Sequence, residues 1–234
     1  MKKDNQPQWS IIKIGGSILV PEWPDGEYMQ ELVRIFTHRA DQGEHFVIIV
    51  GGGYVARRYQ DILRSFGVSN DELDWIGVHA IQFNAQLMRM AFGSYAHSEI
   101  ITASTGIPQT DKPILIYSAE EPGQSSNYGA VVCAQELGAQ QIINLSNVDY
   151  IYDADPRDTP NAKKYSEASW EQYRTFIPQE WTPGLSTPFD PVSSAKAQEA
   201  DVDVIFMKGK PIKNLEKYFE NGEVKGSIIS NRFQ

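Results

Sequence analysis

The feature that most constrains this chain is a local plan that occurs twice: a short apolar run ends in glycines and a helical pattern follows. Ile11-Ile12-Lys13-Ile14 runs into Gly15-Gly16-Ser17, and Phe46-Val47-Ile48-Ile49-Val50 runs into Gly51-Gly52-Gly53. The unbroken apolarity of the second run predicts a strand buried on both faces, as in a parallel sheet. After the first turn, Pro21 and Pro24 mark a loop. Glu27 to Gln42 then has helical spacing, with Met29, Leu32, Val33 and Phe36 on one face and Gly43 at the stop. After the second turn, Tyr54 to Phe66 reads as a helix. Strands alternating with helices predict an α/β fold with a mostly parallel sheet.

The rest of the chain continues the alternation. Asn70 is placed to cap a long helix from Asp71 to about Phe92, with Ile76, Ala80, Phe83, Leu87 and Met90 as its apolar face. Gly93 to Lys112 is poorly patterned. Pro113 to Tyr117 reads as a strand, Ser118 to Asn127 as a polar loop, Tyr128 to Leu137 as a helix closed by Gly138, and Gln141 to Leu145 as a buried strand. Ser169 with Gln172 has a capping-box pattern. Asp190-Pro191 reads as an N-cap with proline at the first helical position, opening a helix to about Glu199. A strand at Val202 to Met207, a helix at Ile212 to Phe219 and a strand at Gly226 to Ser230 complete the pattern. No repeat, low-complexity tract or linker divides the chain, which predicts one domain over residues 1–234.

Composition limits the function. The chain has 234 residues, 41% of them hydrophobic and 22% charged, as in an ordinary globular protein. A net charge of −9 argues against a general nucleic-acid or anionic-membrane binder, which needs an extended basic surface. It leaves room for a small anionic ligand, which needs only local donors. The single cysteine, Cys133, forms no internal disulfide, and a reducing, cytoplasmic location is the expectation. Met1 to Pro7 leads into no apolar signal core, and no stretch approaches the roughly 18 apolar residues of a membrane span. His38, His45, His79 and His97 lack metal-ligand spacing, so no protein-held metal site is expected.

Three readings of the glycine turns compete. A P-loop is excluded, because G-x-x-x-x-G-K-[ST] does not occur. A dinucleotide site matches G-x-G-x-x-A at Gly51 to Ala56, with Asp71, Glu72 and Asp74 about 20 residues on. The third reading uses both turns. In a parallel sheet they leave the same edge, and two facing anion cradles suit a phosphotransferase, which must hold two anionic reactants in line. Helix N-termini, Lys13 and Arg57 would supply the positive field. The plain alternative is that the glycines only make tight turns. Lys13 argues against it, because a lysine between Ile12 and Ile14 in a buried strand needs an anionic partner.

Lys13 to Ser17, Gly51 to Arg57, and Asn147-Val148-Asp149 through Asp155-Pro156 together resemble the amino-acid kinase superfamily, and within it the archaeal-type uridylate (UMP) kinases. Ile18 to Glu22 with Pro24-Asp25, Asp74 to Gly77 with Asn84-Ala85, and Asp190-Pro191 with Ala195-Lys196 fit the same group, so the resemblance runs from about Trp9 to Ile229. It implies a three-layer α/β/α sandwich with an acceptor-binding half (about 1–126) and a nucleotide-binding half (about 127–234). It also implies ATP with Mg2+ carried by its phosphates, nucleotide substrates and a homohexamer. By position, Gly15, Gly16, Ser17, Gly53 and Arg57 fall at the ATP phosphates, and Ser146, Asn147, Tyr152 and Asp155 at the adenosine end. Gly52, Asp74 and the loop Glu120, Glu121, Pro122, Gly123, Gln124, Ser125, Ser126 fall at UMP, with Lys13, Asn127 and Asp190 at the catalytic centre. Each also has a bland reading: Asp74 as a surface acid, Tyr152 as a packed aromatic, Asp155-Pro156 as a turn.

Two positions depart from that group. Its loop P-G-H-T-T-D reads Pro122-Gly123-Gln124-Ser125-Ser126-Asn127 here, and an asparagine replaces the aspartate thought to organise the lysines and the transferred phosphoryl group. Asn127 could instead cap the helix that follows it. Tyr150 stands where relatives usually carry glycine. The resemblance therefore implies an ATP-dependent UMP kinase. A non-catalytic nucleotide- or oxyanion-binding protein on the same fold, like the molybdenum storage proteins, stays open, as does a small-molecule kinase with another acceptor.

Overall fold

The computed structural model describes residues 7–185 and 187–233; the segment Met1 to Gln6, read above as lacking a signal core, lies outside them. A seven-stranded sheet forms the middle layer, in the order β3-β2-β1-β4-β8-β9-β7. Its strands are β1 (Trp9–Ile14), β2 (His45–Val50), β3 (Ile114–Tyr117), β4 (Gln141–Ser146), β7 (Glu167–Ala168), β8 (Asp203–Lys208) and β9 (Gly226–Ile229). The first four and β8 run parallel, and β9 turns back antiparallel to β8. A separate antiparallel pair, β5 (Ile151–Tyr152) and β6 (Lys164–Tyr165), stands off the sheet. The expected α/β/α sandwich with a mostly parallel sheet is observed.

Side-chain alternation along β1 explains the layers. Ile12 and Ile14 face one core, which they share with Leu32 and Phe36 of α2 (Gly26–Ala40), Ala85 and Met88 of α4 (Asn70–Phe92), and Leu215 of α8 (Lys213–Asn221). Ile11 faces the other core, with Ala130 and Val131 of α5 (Ser126–Leu137), Trp170 and Tyr173 of α6 (Trp170–Thr175), and Ala197 of α7 (Pro191–Glu199). The strands are covered on both faces, as their unbroken apolarity requires. Two more helices, α1 (Gly16–Leu19) and α3 (Gly53–Arg64), start directly at the glycine turns.

Three local expectations need correction. The cap of α4 is Ser69, whose side chain accepts from the Glu72 N–H in a full capping box, and Asn70 is already helical. At α6, Ser169 accepts from the Gln172 N–H, which is one half of the predicted box. The face of α4 that meets the core is Leu73, Val78, Ile81, Ala85, Met88 and Phe92. Of the predicted stripe, Phe83 is 75% and Met90 63% exposed.

Candidate active site

The two glycine turns meet. They leave the C-terminal ends of adjacent parallel strands, β1 and β2, and touch backbone to backbone. A Cβ on Gly16 would lie 2.1 Å from the Gly53 nitrogen, and one on Gly51 would lie 2.7 Å from the Gly16 nitrogen. Gly53 also has a φ of +77°, so glycine is required here by both contact and conformation. The buried Asn84 side chain fixes the second turn by donating to the carbonyls of Gly51 at 2.8 Å and Gly52 at 3.2 Å. Gly15 and Gly52 cap α1 and α3 without any side-chain bond, which leaves first-turn N–H groups for a ligand. Helix N-termini so exposed favour an anion.

Lys13 rises from β1 into this corner and is buried. Burial pushes its ammonium pKa down to about 8, against the pull of the Asp190 carboxylate. Asp190 caps α7 and is itself buried. It accepts from the Ser193 N–H at 2.9 Å, from the hydroxyls of Ser193 and Ser125 at 2.6 Å each, and from the Asn127 carboxamide at 3.2 Å. Four donors satisfy a charge that would otherwise be costly to bury.

Asn127 does not cap its helix. Ser125 does, accepting from the Tyr128 N–H at 3.0 Å. The Asn127 side chain turns inward: its NH2 serves Asp190, and its Oδ1 is buried without a partner among the described residues. A carboxylate at this position would face Asp190 charge against charge, whereas the carboxamide faces it with a donor.

At one end of the cavity, Asp74 projects from α4 half-buried. Burial raises its pKa, while the Gly123 N–H at 2.5 Å and the Trp181 indole N–H oppose the shift. Arg57 of α3 is half-buried, and desolvation lowers its pKa against the pull of Asp61. Gly52, Gln124, Ser125 and Ser126 line the cavity; Glu120, Glu121, Pro122 and Gly123 do not. Glu120 turns away to Ser104, accepting from its N–H at 2.8 Å and its hydroxyl at 2.6 Å, so it shapes the loop from outside. Asp74 sits on a helix beside the turns and not at a strand end, so the dinucleotide pattern at Gly51 to Ala56 lacks its acidic partner in the required place.

The opposite end is aromatic and polar. Ser146, Asn147, Tyr150, Tyr152, Asp155 and Arg157 line it. Tyr152 donates to Asp149 at 2.9 Å, and Lys164 lies 4.7 Å over the Tyr150 ring. Arg157 grips Asp155 through two nitrogens and, with its backbone N–H, holds that carboxyl down to about 2. The whole cavity measures about 410 Å3 and runs from Asp74 to Tyr152 past Lys13.

Several lining residues carried no motif. Gln60 of α3 is buried and donates to the Leu73 carbonyl at 2.9 Å. The segment 176–185 supplies Phe176, Ile177, Trp181 and Leu185, and is tied to α3 by Arg64 donating to the Pro183 carbonyl at 2.6 Å. In sequence this segment is only a proline- and glycine-bearing turn, and proximity to Asp74 is a tertiary property. Among the described residues, no three His, Cys, Asp or Glu side chains gather closely enough to hold a metal ion, and no helix is long and apolar enough to cross a membrane.

Apposed anion cradles beside a buried lysine, at the edge of a parallel sheet, are the equipment of a small-molecule phosphotransferase. The comparison with known proteins agrees: the chain belongs to the amino acid kinase family, whose model matches residues 8–208. It is 31% identical over 224 residues to the uridylate kinase of Methanospirillum hungatei, with 94% of each chain covered. It is 33% identical over 177 residues to that of Thermococcus kodakarensis, covering 73% of this chain and 76% of the relative. Among solved structures, the uridylate kinase from Archaeoglobus fulgidus superposes with a TM-score of 0.74 at 25% identity, covering 94% of this chain and all of that one. The UMP kinase from Bacillus anthracis shares the fold, with a TM-score of 0.76 at 17% identity and 97% and 98% coverage.

Proposed function

We propose that the chain transfers the γ-phosphoryl group of ATP to UMP. The observation that carries this reading is the backbone-to-backbone meeting of the two glycine turns beside Lys13, in a chain matched along its length to uridylate kinases. A phosphate oxygen of UMP attacks the γ-phosphorus, the bond from that phosphorus to the β,γ-bridging oxygen breaks, and UDP and ADP result. Gly15, Gly16, Ser17, Gly53 and Arg57 would receive the ATP phosphates through backbone N–H groups and one guanidinium. Ser146, Asn147, Tyr152 and Asp155 would hold the adenosine. Gly52, Asp74 and the loop from Glu120 to Ser126 would hold UMP, with Gln124, Ser125 and Ser126 in contact and Glu120 to Gly123 shaping the loop.

At the centre, the Lys13 ammonium neutralises charge gathering on the transferred group, and Asp190 with Asn127 keeps the corner polar. Mg2+ travels with the nucleotide phosphates and supplies further charge neutralisation when bound; the uncapped N–H groups and glycine cradle suit a metal–phosphate complex better than a bare ion. About residues 1–126 would form the acceptor half, whose glycine turns also reach the ATP phosphates, and about residues 127–234 the nucleotide half. We place the protein in the cytoplasm, as its single cysteine suggests. A homo-oligomer, by resemblance a hexamer, fits the exposed Phe66, Phe83 and Met90.

Purified protein incubated with Mg-ATP and a panel of acceptors, followed by nucleotide chromatography, tests this reading. UDP forms from UMP in preference to products from AMP, CMP or small carboxylic acids. ATP bound without transfer to any acceptor would contradict it, and would point to a binding protein.

A further inference from the structure

The corner around Lys13 contains more unsatisfied polar atoms than the roles above require. Lys13 on β1 and Asn144 on β4 are register partners in adjacent parallel strands, so their side chains leave the same face of the sheet. Asn144 is fully buried, between Ile143 and Leu145 in sequence. Its NH2 donates to the Pro188 carbonyl at 3.1 Å, which fixes the amide plane and leaves Oδ1 as the free end. That oxygen has no partner among the described residues, and neither has Asn127 Oδ1. A buried carboxamide oxygen without a donor is destabilising, and the nearest cationic donor by strand register is the Lys13 ammonium.

We propose that Asn144 is a positioning residue for Lys13: with Asn127 it presents a pair of neutral acceptors that seat the ammonium through one bridging water, in place of a second carboxylate. The inference rests on Lys13 being the phosphate-facing cation of the proposed reaction. Two carboxamide oxygens orient an ammonium without neutralising it, so its positive charge stays available to the transferred group. Among the charged and titratable groups around Lys13, α7 contributes Asp190 and α3 contributes Arg57 across the cavity. On the same face, β3 contributes Tyr117 and α6 contributes Tyr173, whose hydroxyl donates to the Phe189 carbonyl. From α5 come Asn127 and the buried Cys133 thiol, and from β4 comes Asn144.

The test reads Lys13 itself. Trace acetylation with acetic anhydride across a pH series, resolved by peptide mass spectrometry, gives the pH at which Lys13 becomes reactive. In Asn144→Leu the reactivity curve moves to lower pH, by on the order of one unit, because the ammonium loses an acceptor. In Asn144→Asp it moves to higher pH, and the alkaline limb of the kcat/KM profile moves with it. An unchanged Lys13 curve in Asn144→Asp, or in any Asn144 variant that keeps the wild-type circular dichroism, would overturn the proposal. If Asn144→Leu does not fold, Asn144→Asp and Asn144→Ser still decide the question. Labelling needs no turnover, so shifted curves without UDP formation would contradict the kinase reading alone.

Discussion

Lys13 concentrates the chemistry of the site, and its burial has a measurable consequence. Its lowered pKa means that the folded chain holds this proton less tightly than the unfolded chain does. The penalty is therefore complete below about pH 8 and fades as pH rises toward the ordinary lysine value of 10.5. Lys13→Met is expected to raise unfolding stability at pH 7 by up to roughly 3 kcal/mol, with the gain shrinking by pH 10, as urea titrations at the two pH values would read. A variant no more stable than wild type at pH 7 would contradict this account of the site. The proposed transfer needs the ammonium, so kcat/KM is expected to fall above about pH 8. Gly16→Ala tests the adjoining contact. Its Cβ would meet the Gly53 nitrogen at 2.1 Å, so the turns must separate; loss of activity together with a lower Tm is expected, and full activity would refute the contact. Lys13 was legible in sequence because a charge inside an apolar strand demands a partner. Asn144 was not, since a neutral amide in a strand signals nothing until its neighbours are known. Asn127 stands out in sequence only as a departure from the resembled group, and its alternative role as a cap falls to Ser125.

At the scale of elements, α4 shows where periodicity stops informing. Leu73, Val78, Ile81, Ala85, Met88 and Phe92 recur at helical spacing, and so do Ile76, Ala80, Phe83, Leu87 and Met90. A helix apolar on two faces is a buried helix, and periodicity alone cannot say which face its own core covers. The first set is buried, Ala85, Met88 and Phe92 in the sheet core and Val78 and Ile81 against Ala119, and the second is left half-buried or exposed. The start of α4 is ambiguous in sequence for a related reason: Ser69, Asn70 and Asp71 are all cap-formers, and only the Glu72 partner chooses Ser69. Ser69→Ala is expected to cost about 1 kcal/mol in thermal unfolding, and Asn70→Ala much less; equal losses would return the cap to Asn70. Six strands, β1 to β4, β8 and β9, are in contrast readable almost to the residue, whereas the two-residue strands β5, β6 and β7 carry no pattern long enough to read. β1 is apolar but for Ser10 and Lys13, β2 is apolar after His45, and both end at glycines, so burial and turn chemistry give the same boundaries. Segment 176–185 was unreadable as part of a site, because its place against Asp74 and Arg64 is set by the packing of α6 and α7.

At the scale of the molecule, one sheet carries both turns, Lys13 and Ser146, and the separate β5–β6 pair brings Tyr152 to the same cavity, which explains how motifs from Lys13 to Asp190 converge. Along α3, α4 and the turn between them, Tyr59 is 56%, Phe66 77%, Phe83 75% and Met90 63% exposed, more large apolar side chains than a lone globular surface favours. Covered by a second copy of the chain, the stripe that the sequence predicts to be buried would be buried after all. Phe83→Asp is expected to lower the oligomeric mass in light scattering while leaving the circular dichroism unchanged; a monomeric wild type would refute the assembly. The central claim is that the two meeting turns and Lys13 form a phosphotransfer centre for UMP. Its most direct test is the initial rate of UDP formation from Mg-ATP and UMP by the wild-type chain and by Lys13→Ala, each with ATP binding measured in parallel. Turnover by wild type, with a loss of about 100-fold or more in Lys13→Ala, is the predicted result. UDP formation at equal rates by both proteins would contradict it, as would ATP binding by the wild type with no UDP at all.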